Sequence, residues 1–383
     1  MLGAAGAWAQ TLFPAQQAEI LKNNPTLRAA TTQTEAAAAD NLTGLTLGSP
    51  EVSFSYLFGV NKDIPNKINV EVTQPLDVPT LSGARRRAAE AENAVGKTAV
   101  ATSRAGLALQ VEEALDEYVY QSKLIGELER QQTFLAELTA MADSALKRGA
   151  LTLIEYDKIE LEKLSVENDL ATARADREAA QLTLTALNGQ PLSSLPTEWP
   201  ATPLPADFEA WVAQAAAANP ELATLSAQMA SDQAQIELRR KEQLPEFSVG
   251  YGNELVRGGN MHGFLVGFNL PLWGGKSRVK AAEATRAATQ MQLASAEEQF
   301  RALKRAQYDK ARLLQASVER YAKFYERLQT VNKAHLDNAF KRGTMTVFEY
   351  VTEQEDFFEH ALTYLTALRD YHSARTALYD TTL

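Results

Sequence analysis

The residues whose spacing could do chemistry lie late in the chain. Glu349, Glu353, Asp356 and His360 follow one another at i, i+4, i+7 and i+11, which puts all four on one face of a helix. Carboxylate and imidazole at one-turn spacing can chelate a metal ion. A solvated helix face carries the same residues without any ion, and that reading is the better one unless the face lines a tunnel. His262, His335 and His372 are scattered and suggest no site. No Ser-His-Asp spacing, phosphate-cradling glycine loop or isolated carboxylate pair is visible, so no catalytic residue, metal site or cofactor is expected and the chain is not read as an enzyme. Zero cysteines remove disulfides, thiolate ligands and cysteine nucleophiles. A net charge of -10 and a pI near 5.2 argue against nucleic acid as a partner.

What positions those acids is a phrase that occurs twice, ALKRGALTLIEY from Ala145 to Tyr156 and AFKRGTMTVFEY from Ala339 to Tyr350. Gly149 and Gly343 suit the left-handed turn that ends a helix. Thr152 and Thr346 stand where an N-cap belongs, and Glu155 and Glu349 follow three residues later as capping-box partners. Each copy therefore reads as a hairpin tip, at about 147–155 and 341–349. Capping does not require the apolar residues Leu151, Leu153, Ile154, Met345, Val347 and Phe348, and a patch of them at an exposed turn points to a docking partner.

Around the tips the chain reads as a duplicated unit, mainly α with a small β part. MLGAAGAWAQ ends in the Ala7-Trp8-Ala9 pattern of a secretory signal, making 1–9 its remnant. The first repeat covers 10–190, with alternating strands at about 51–59 and 67–75, a helix of about 65 residues from Ala84 to Lys147, and a returning helix about half that length. A Pro-rich linker at 191–207 leads to the second repeat, 208–383, with strands at about 245–252 and 263–271 separated by the loop GGNMHG. A second helix of about 65 residues should run to the second tip, which puts each tip about 95 Å of helix from a strand pair. No apolar stretch is long enough for a membrane-spanning helix, so any crossing is by strands. Tyr56, Phe58, Tyr251, Phe264, Phe268 and Trp273 could be the core of a soluble sheet, while their place near strand ends and the polar alternate faces fit an aromatic girdle at a membrane interface. Arg85, Arg86 and Arg87, where strands give way to helix, could meet lipid headgroups or form an ordinary charged surface. Four strands are too few to enclose a lumen, but three chains would supply twelve.

Taken together, these features resemble the TolC-like outer-membrane factor family from Gln10 to Leu383. The likeness is carried by NPTL and NPEL, by SPEVSFSYL and LPEFSVGYG at the strand openings, by QPLDVPTLSGARR and LPLWGGKSR after the strands, and by the twin tips. The form QPLDVPTLSG is closest to the cation-efflux branch. The resemblance implies a homotrimer in the cell outer membrane whose twelve-stranded barrel continues into a long periplasmic α-helical barrel. It implies an efflux duct that meets a periplasmic adaptor and an inner-membrane pump. The family's adaptor contact maps onto Arg148, Gly149, Thr152, Leu153, Arg342, Gly343, Thr346 and Val347. Its periplasmic gate maps onto Glu155 and Glu349; at the second acidic position of the second tip this chain has Thr352, with Glu353 beside it. A duct for a protein-secretion exporter and a soluble coiled-coil scaffold are the alternative readings.

Overall fold

The computed structural model describes residues 11–43, 45–46, 48–60, 64–76, 79–201, 203–271 and 274–380. The expected signal remnant at 1–9 and the girdle candidate Trp273 lie outside them. The helices are α1 (Pro14–Asn23), α2 (Pro25–Thr43), α3 (Pro79–Lys147), α4 (Leu153–Asn188), α5 (Phe208–Ala218), α6 (Pro220–Lys241), α7 (Gly275–Arg327), α8 (Lys333–Lys341) and α9 (Val347–Tyr379). The strands are β1 (Glu51–Leu57), β2 (Lys67–Leu76), β3 (Glu246–Val256) and β4 (Gly259–Asn269). The chain divides into two units, one of Met1–Arg28, Ser103–Asn219 and Gln299–Leu383, the other of Ala29–Thr102 and Pro220–Glu298. Each draws on both sequence repeats.

The unit containing the strands is built on one antiparallel sheet in the order β1-β2-β3-β4. Alternation fixes its two faces. Phe54 pairs with Val70, Val72 with Tyr251, and Tyr251 with Phe264, so one apolar face runs across all four strands. The opposite face carries Ser53, Asn69, Glu71, Ser248 and Glu254, with Lys67 bridging Glu254 at 2.5 Å. On that face Gly250 lies so close to Thr73 and the Val72 carbonyl that an added Cβ would meet both at 2.7 Å. The second strand pair is longer than its sequence suggests. Gly259 to His262, expected as loop, belong to β4, because Val256 pairs with Gly259 and leaves only Arg257 and Gly258 in the turn. Gly258 supplies the positive φ of 104° that closes it. Polar contacts also join the helices of this unit: Asn41 donates to Asn93 at 2.7 Å and Thr289 to Asp232 at 2.6 Å, beside buried Leu81, Leu222 and Ile236.

In the other unit, α3 and α4 are zipped by Leu128, Leu135, Leu138 and Ala142 against Ile159, Val166, Leu170 and Ala173. Leu12, Phe13 and Ile20 pack on Val111, Leu115, Val119 and Leu184, and the Pro-rich linker joins them through Leu192, Leu195 and Trp199. The linker is thus docked: Tyr308 and Tyr379 donate to the carbonyls of Pro205 and Pro203, each at 3.2 Å. The Asn-Pro phrase has a structural reason. Asn24 accepts from the Leu27 amide at 2.8 Å as the cap of α2, while Pro25 takes the first helical position.

Two helix expectations are corrected. The first long helix begins earlier than Ala84, with 69 residues from Pro79 to Lys147, because Pro79 is itself an effective first helical residue. The second is not continuous. Leu328–Asn332 forms one π-helical turn between α7 and α8, with the Lys333 amide reaching the Leu328 carbonyl. Ala281-Ala282-Glu283-Ala284 stands one residue further from its tip than Ala88-Ala89-Glu90-Ala91 does. A π turn is what a single inserted residue produces when the helix on either side keeps its facing.

Candidate functional site

At both tips the helix ends in the same hydrogen-bonded turn. Gly149, at φ 72°, donates to Leu146 at 2.9 Å while Ala150 donates to Ala145 at 2.9 Å. Gly343, at φ 71°, donates to Phe340 at 3.0 Å while Thr344 donates to Ala339 at 3.1 Å. These bonds satisfy carbonyls that a helix end leaves open. The next helix opens on a complete capping box. The Thr152 hydroxyl accepts from the Glu155 amide at 3.3 Å, and the Glu155 carboxylate accepts from the Thr152 amide at 2.9 Å; Thr346 and Glu349 repeat the pair at 3.2 and 2.9 Å. Bonds from the Thr backbone and hydroxyl hold both carboxyls below their ordinary range.

The apolar tip residues divide into two sets. Leu151 and Val347 pack against the α3–α4 core, whereas Leu153 and Ile154 are 62% and 72% exposed. Arg148, Gly149, Thr152, Arg342, Gly343 and Thr346 are exposed at the turns. Glu349, Glu353, Asp356 and His360 share one exposed face of α9. Among the described residues no three His, Asp or Glu side chains come together to hold a metal ion.

Behind the second tip lies a brace between helices. Tyr350 of α9 donates to Asp337 of α8 at 2.8 Å, Gln354 donates to the same carboxylate at 3.4 Å, and the Tyr350 ring stacks on Phe340 with centroids 4.3 Å apart. Burial, then the Asp337 contact, pushes the Tyr350 hydroxyl up to about 12. At the first tip the matching residues bond within their own helices: Tyr156 donates to Glu160 at 3.4 Å and Lys147 to Asp143 at 2.6 Å.

The sheet leaves its apolar face open in the protomer. Phe58, Phe264 and Phe268 are 77%, 90% and 67% exposed, and Val52, Phe54 and Val266 are exposed with them. Of the girdle candidates, Tyr56 and Phe58 meet edge-on at the turn end of β1, 4.7 Å apart. Tyr251 and Phe264 instead face each other midway along their strands, 5.9 Å apart, because those strands extend past the expected ends.

Sequence reasoning missed a buried polar cluster. Asp116 accepts from Trp199 at 3.1 Å and from Thr376 at 2.8 Å. Glu112 accepts from the Leu12 amide at 3.1 Å. Burial raises these carboxyls to about 6 and about 7, with Asp116 also raising Glu112 and Arg375 opposing both rises. His372, dismissed from sequence, stacks on Trp199 at 4.8 Å, and burial lowers it to about 4. The available signal was that Glu112 and Asp116 directly follow Val111 and Leu115 on the buried stripe of α3.

No protein-family model matches the sequence, and no curated protein matches it. Solved structures do match the fold. A membrane protein from Pseudomonas aeruginosa aligns with a TM-score of 0.77 at 14% identity, over 98% of this chain and 95% of that one. CusC, solved in a study of transmembrane channel formation, aligns at 0.76 and 16% identity over 99% and 95%. The outer-membrane channel OprN aligns at 0.75 and 13% identity over 98% and 90%. Long capped helix hairpins, one four-stranded sheet and alignment along nearly the whole chain establish that this protein has the TolC-like fold of outer-membrane channels.

Proposed function

We propose that the chain is a non-enzymatic exit duct of the cell outer membrane, working as a homotrimer with a long periplasmic portion. The observation that carries this reading is the sheet. Its four strands have an exposed apolar face, a polar and glycine-bearing opposite face, and outer edges at β1 and β4 that pair with no further strand among the described residues. Three such sheets joined edge to edge make a twelve-stranded barrel that presents the apolar face to outer-membrane lipid and the polar face to water. The likeness to outer-membrane channels supports the same arrangement.

In this reading the duct serves a tripartite efflux system for a metal ion or a drug. A periplasmic adaptor docks at the tips around Arg148, Gly149, Thr152, Leu153, Arg342, Gly343, Thr346 and Val347, and the inner-membrane pump supplies all the transport energy. Exposed Leu153 and Ile154 support docking, since an apolar pair at a turn gains by being covered. Glu155, Glu349 and Glu353 set the charge at the periplasmic gate. Trimers that migrate differently before and after heating, and that conduct as single channels in planar bilayers, are expected; a monodisperse soluble monomer sinks the duct. Leu153→Asp should abolish efflux while trimers remain in the outer membrane, and normal efflux by that variant removes the docking assignment. Glu349→Gln should shift the reversal potential in a salt gradient.

A further inference from the structure

In the unit that holds the sheet, basic side chains gather where helix meets strand. Arg85, Arg86 and Arg87 stand in the second and third turns of α3, shortly after β2 ends. Arg239, Arg240 and Lys241 close α6 just before β3. Lys276, Arg278 and Lys280 fall in the first two turns of α7, just after β4. In a chain of net charge -10 such a concentration stands out from the rest of the sequence.

Part of this charge is already answered. Arg86 pairs with Glu90 at 3.0 Å, Arg87 with Glu237 at 3.5 Å, Arg239 with Glu242 at 2.8 Å and Arg240 with Glu283 at 2.8 Å. Lys276, Arg278 and Lys280 are exposed, and among the described residues no carboxylate pairs with them. The first turn of α7 holds no acidic residue to offset them. The adjoining strand ends are apolar and open: Phe247, Phe268 and Leu270 are 47%, 67% and 47% exposed. An apolar surface bordered by unanswered cations matches the boundary of a bilayer, where acyl chains give way to phosphates. An acidic protein would satisfy the charges but leave the apolar strand ends uncovered.

We propose that Lys276, Arg278 and Lys280 form a headgroup shelf that binds anionic phospholipid beside the apolar face of the sheet. This rests on the duct reading, in which that face meets lipid. Headgroup attraction ranks lipids by charge, so phosphatidylglycerol is held in preference to phosphatidylcholine.

The test reconstitutes the full-length trimer into phosphatidylcholine vesicles carrying a trace of spin-labelled phosphatidylglycerol or spin-labelled phosphatidylcholine. The motionally restricted fraction is then read for each label. A preference of roughly fivefold for phosphatidylglycerol is expected at low ionic strength, shrinking as salt rises. Lys276→Gln/Arg278→Gln/Lys280→Gln should reduce it to less than about twofold. A control with the same charge change, Arg301→Gln/Lys310→Gln/Arg312→Gln on exposed positions of α7, should keep it. An inserted trimer without preference, equal loss in the control, or stronger displacement by inorganic phosphate than by chloride of equal ionic strength overturns the shelf. Failure of the wild-type chain to insert into either vesicle overturns the duct itself.

Discussion

The two tips share their caps and differ in what stands behind them. The first hairpin, α3 to α4, is closed by a run of aliphatic side chains, and its polar residues bond along their own helices. The second, α8 to α9, has the short helix after the π turn and a cross-helix brace of Tyr350, Asp337, Gln354 and Phe340. Few sequence changes separate them. Asp143 and Asp337 are equivalent, as are Tyr156 and Tyr350, but Leu146 stands where Phe340 does and Glu160 where Gln354 does. A carboxylate at Glu160 would repel the aspartate that Gln354 can donate to, and leucine offers no ring for the tyrosine to stack on. Thus one turn geometry serves both an aliphatic zipper and a directional hydrogen-bonded clamp.

The largest effect that would sharpen this contrast is expected from Leu138→Ala. This fully buried side chain belongs to the α3–α4 zipper, and its loss should cost about 2–5 kcal/mol in thermal or denaturant unfolding. Amide exchange should rise first along α3 and α4; equal loosening of α8 and α9 would break the distinction. Tyr350→Phe comes next. It removes the bond to Asp337 and should cost roughly 1 kcal/mol, while Tyr156→Phe should cost less than about 0.5 kcal/mol, since its bond is long and stays within one helix. Equal costs would mean that the brace does not hold the second hairpin.

Two further changes should leave the tips alike. Thr152→Ala and Thr346→Ala each remove a hydroxyl cap and should each cost about 1 kcal/mol, because the two boxes have matching geometry. Acid should act on both caps in parallel. Glu155 and Glu349 have folded-state values below 4.5, so their contribution is present above 4.5 and disappears as pH falls through the lowered value. Tip amide exchange measured from pH 6 downward should accelerate together in the two hairpins. If only one tip responds, its carboxylate is held by something other than the cap.

The caps were legible in the sequence because they are local. Gly149, Thr152 and Glu155 need only one another, and their repetition at Gly343, Thr346 and Glu349 doubles the signal. The sheet was legible through strict alternation, but its length was not. Gly259 looks like a turn residue in isolation, and only cross-strand pairing with Val256 makes it strand. The cluster around Asp116 escaped because its partners, Trp199 and Thr376, are distant in sequence and no local pattern announces them. At the tips, spacing could not tell which apolar residues face inward, and packing retains Leu151 and Val347 while leaving Leu153 and Ile154 outside.

The π turn at Leu328–Asn332 has a consequence for how a duplicated chain tolerates change. One added residue in an ordinary α-helix rotates everything beyond it by roughly 100° and advances it about 1.5 Å. Such a rotation would turn the whole second tip, with Asp337, Phe340 and Tyr350 together, about the axis of α7 and break contacts between α7 and α9 such as Tyr325 stacked on Tyr364 at 4.9 Å. By confining the surplus residue to a single widened turn, the helix lets the second hairpin lengthen while α9 keeps its facing on α7. Deleting one residue within 328–332 should therefore yield an unbroken helix that still seats Tyr325 on Tyr364, a change of length absorbed in phase.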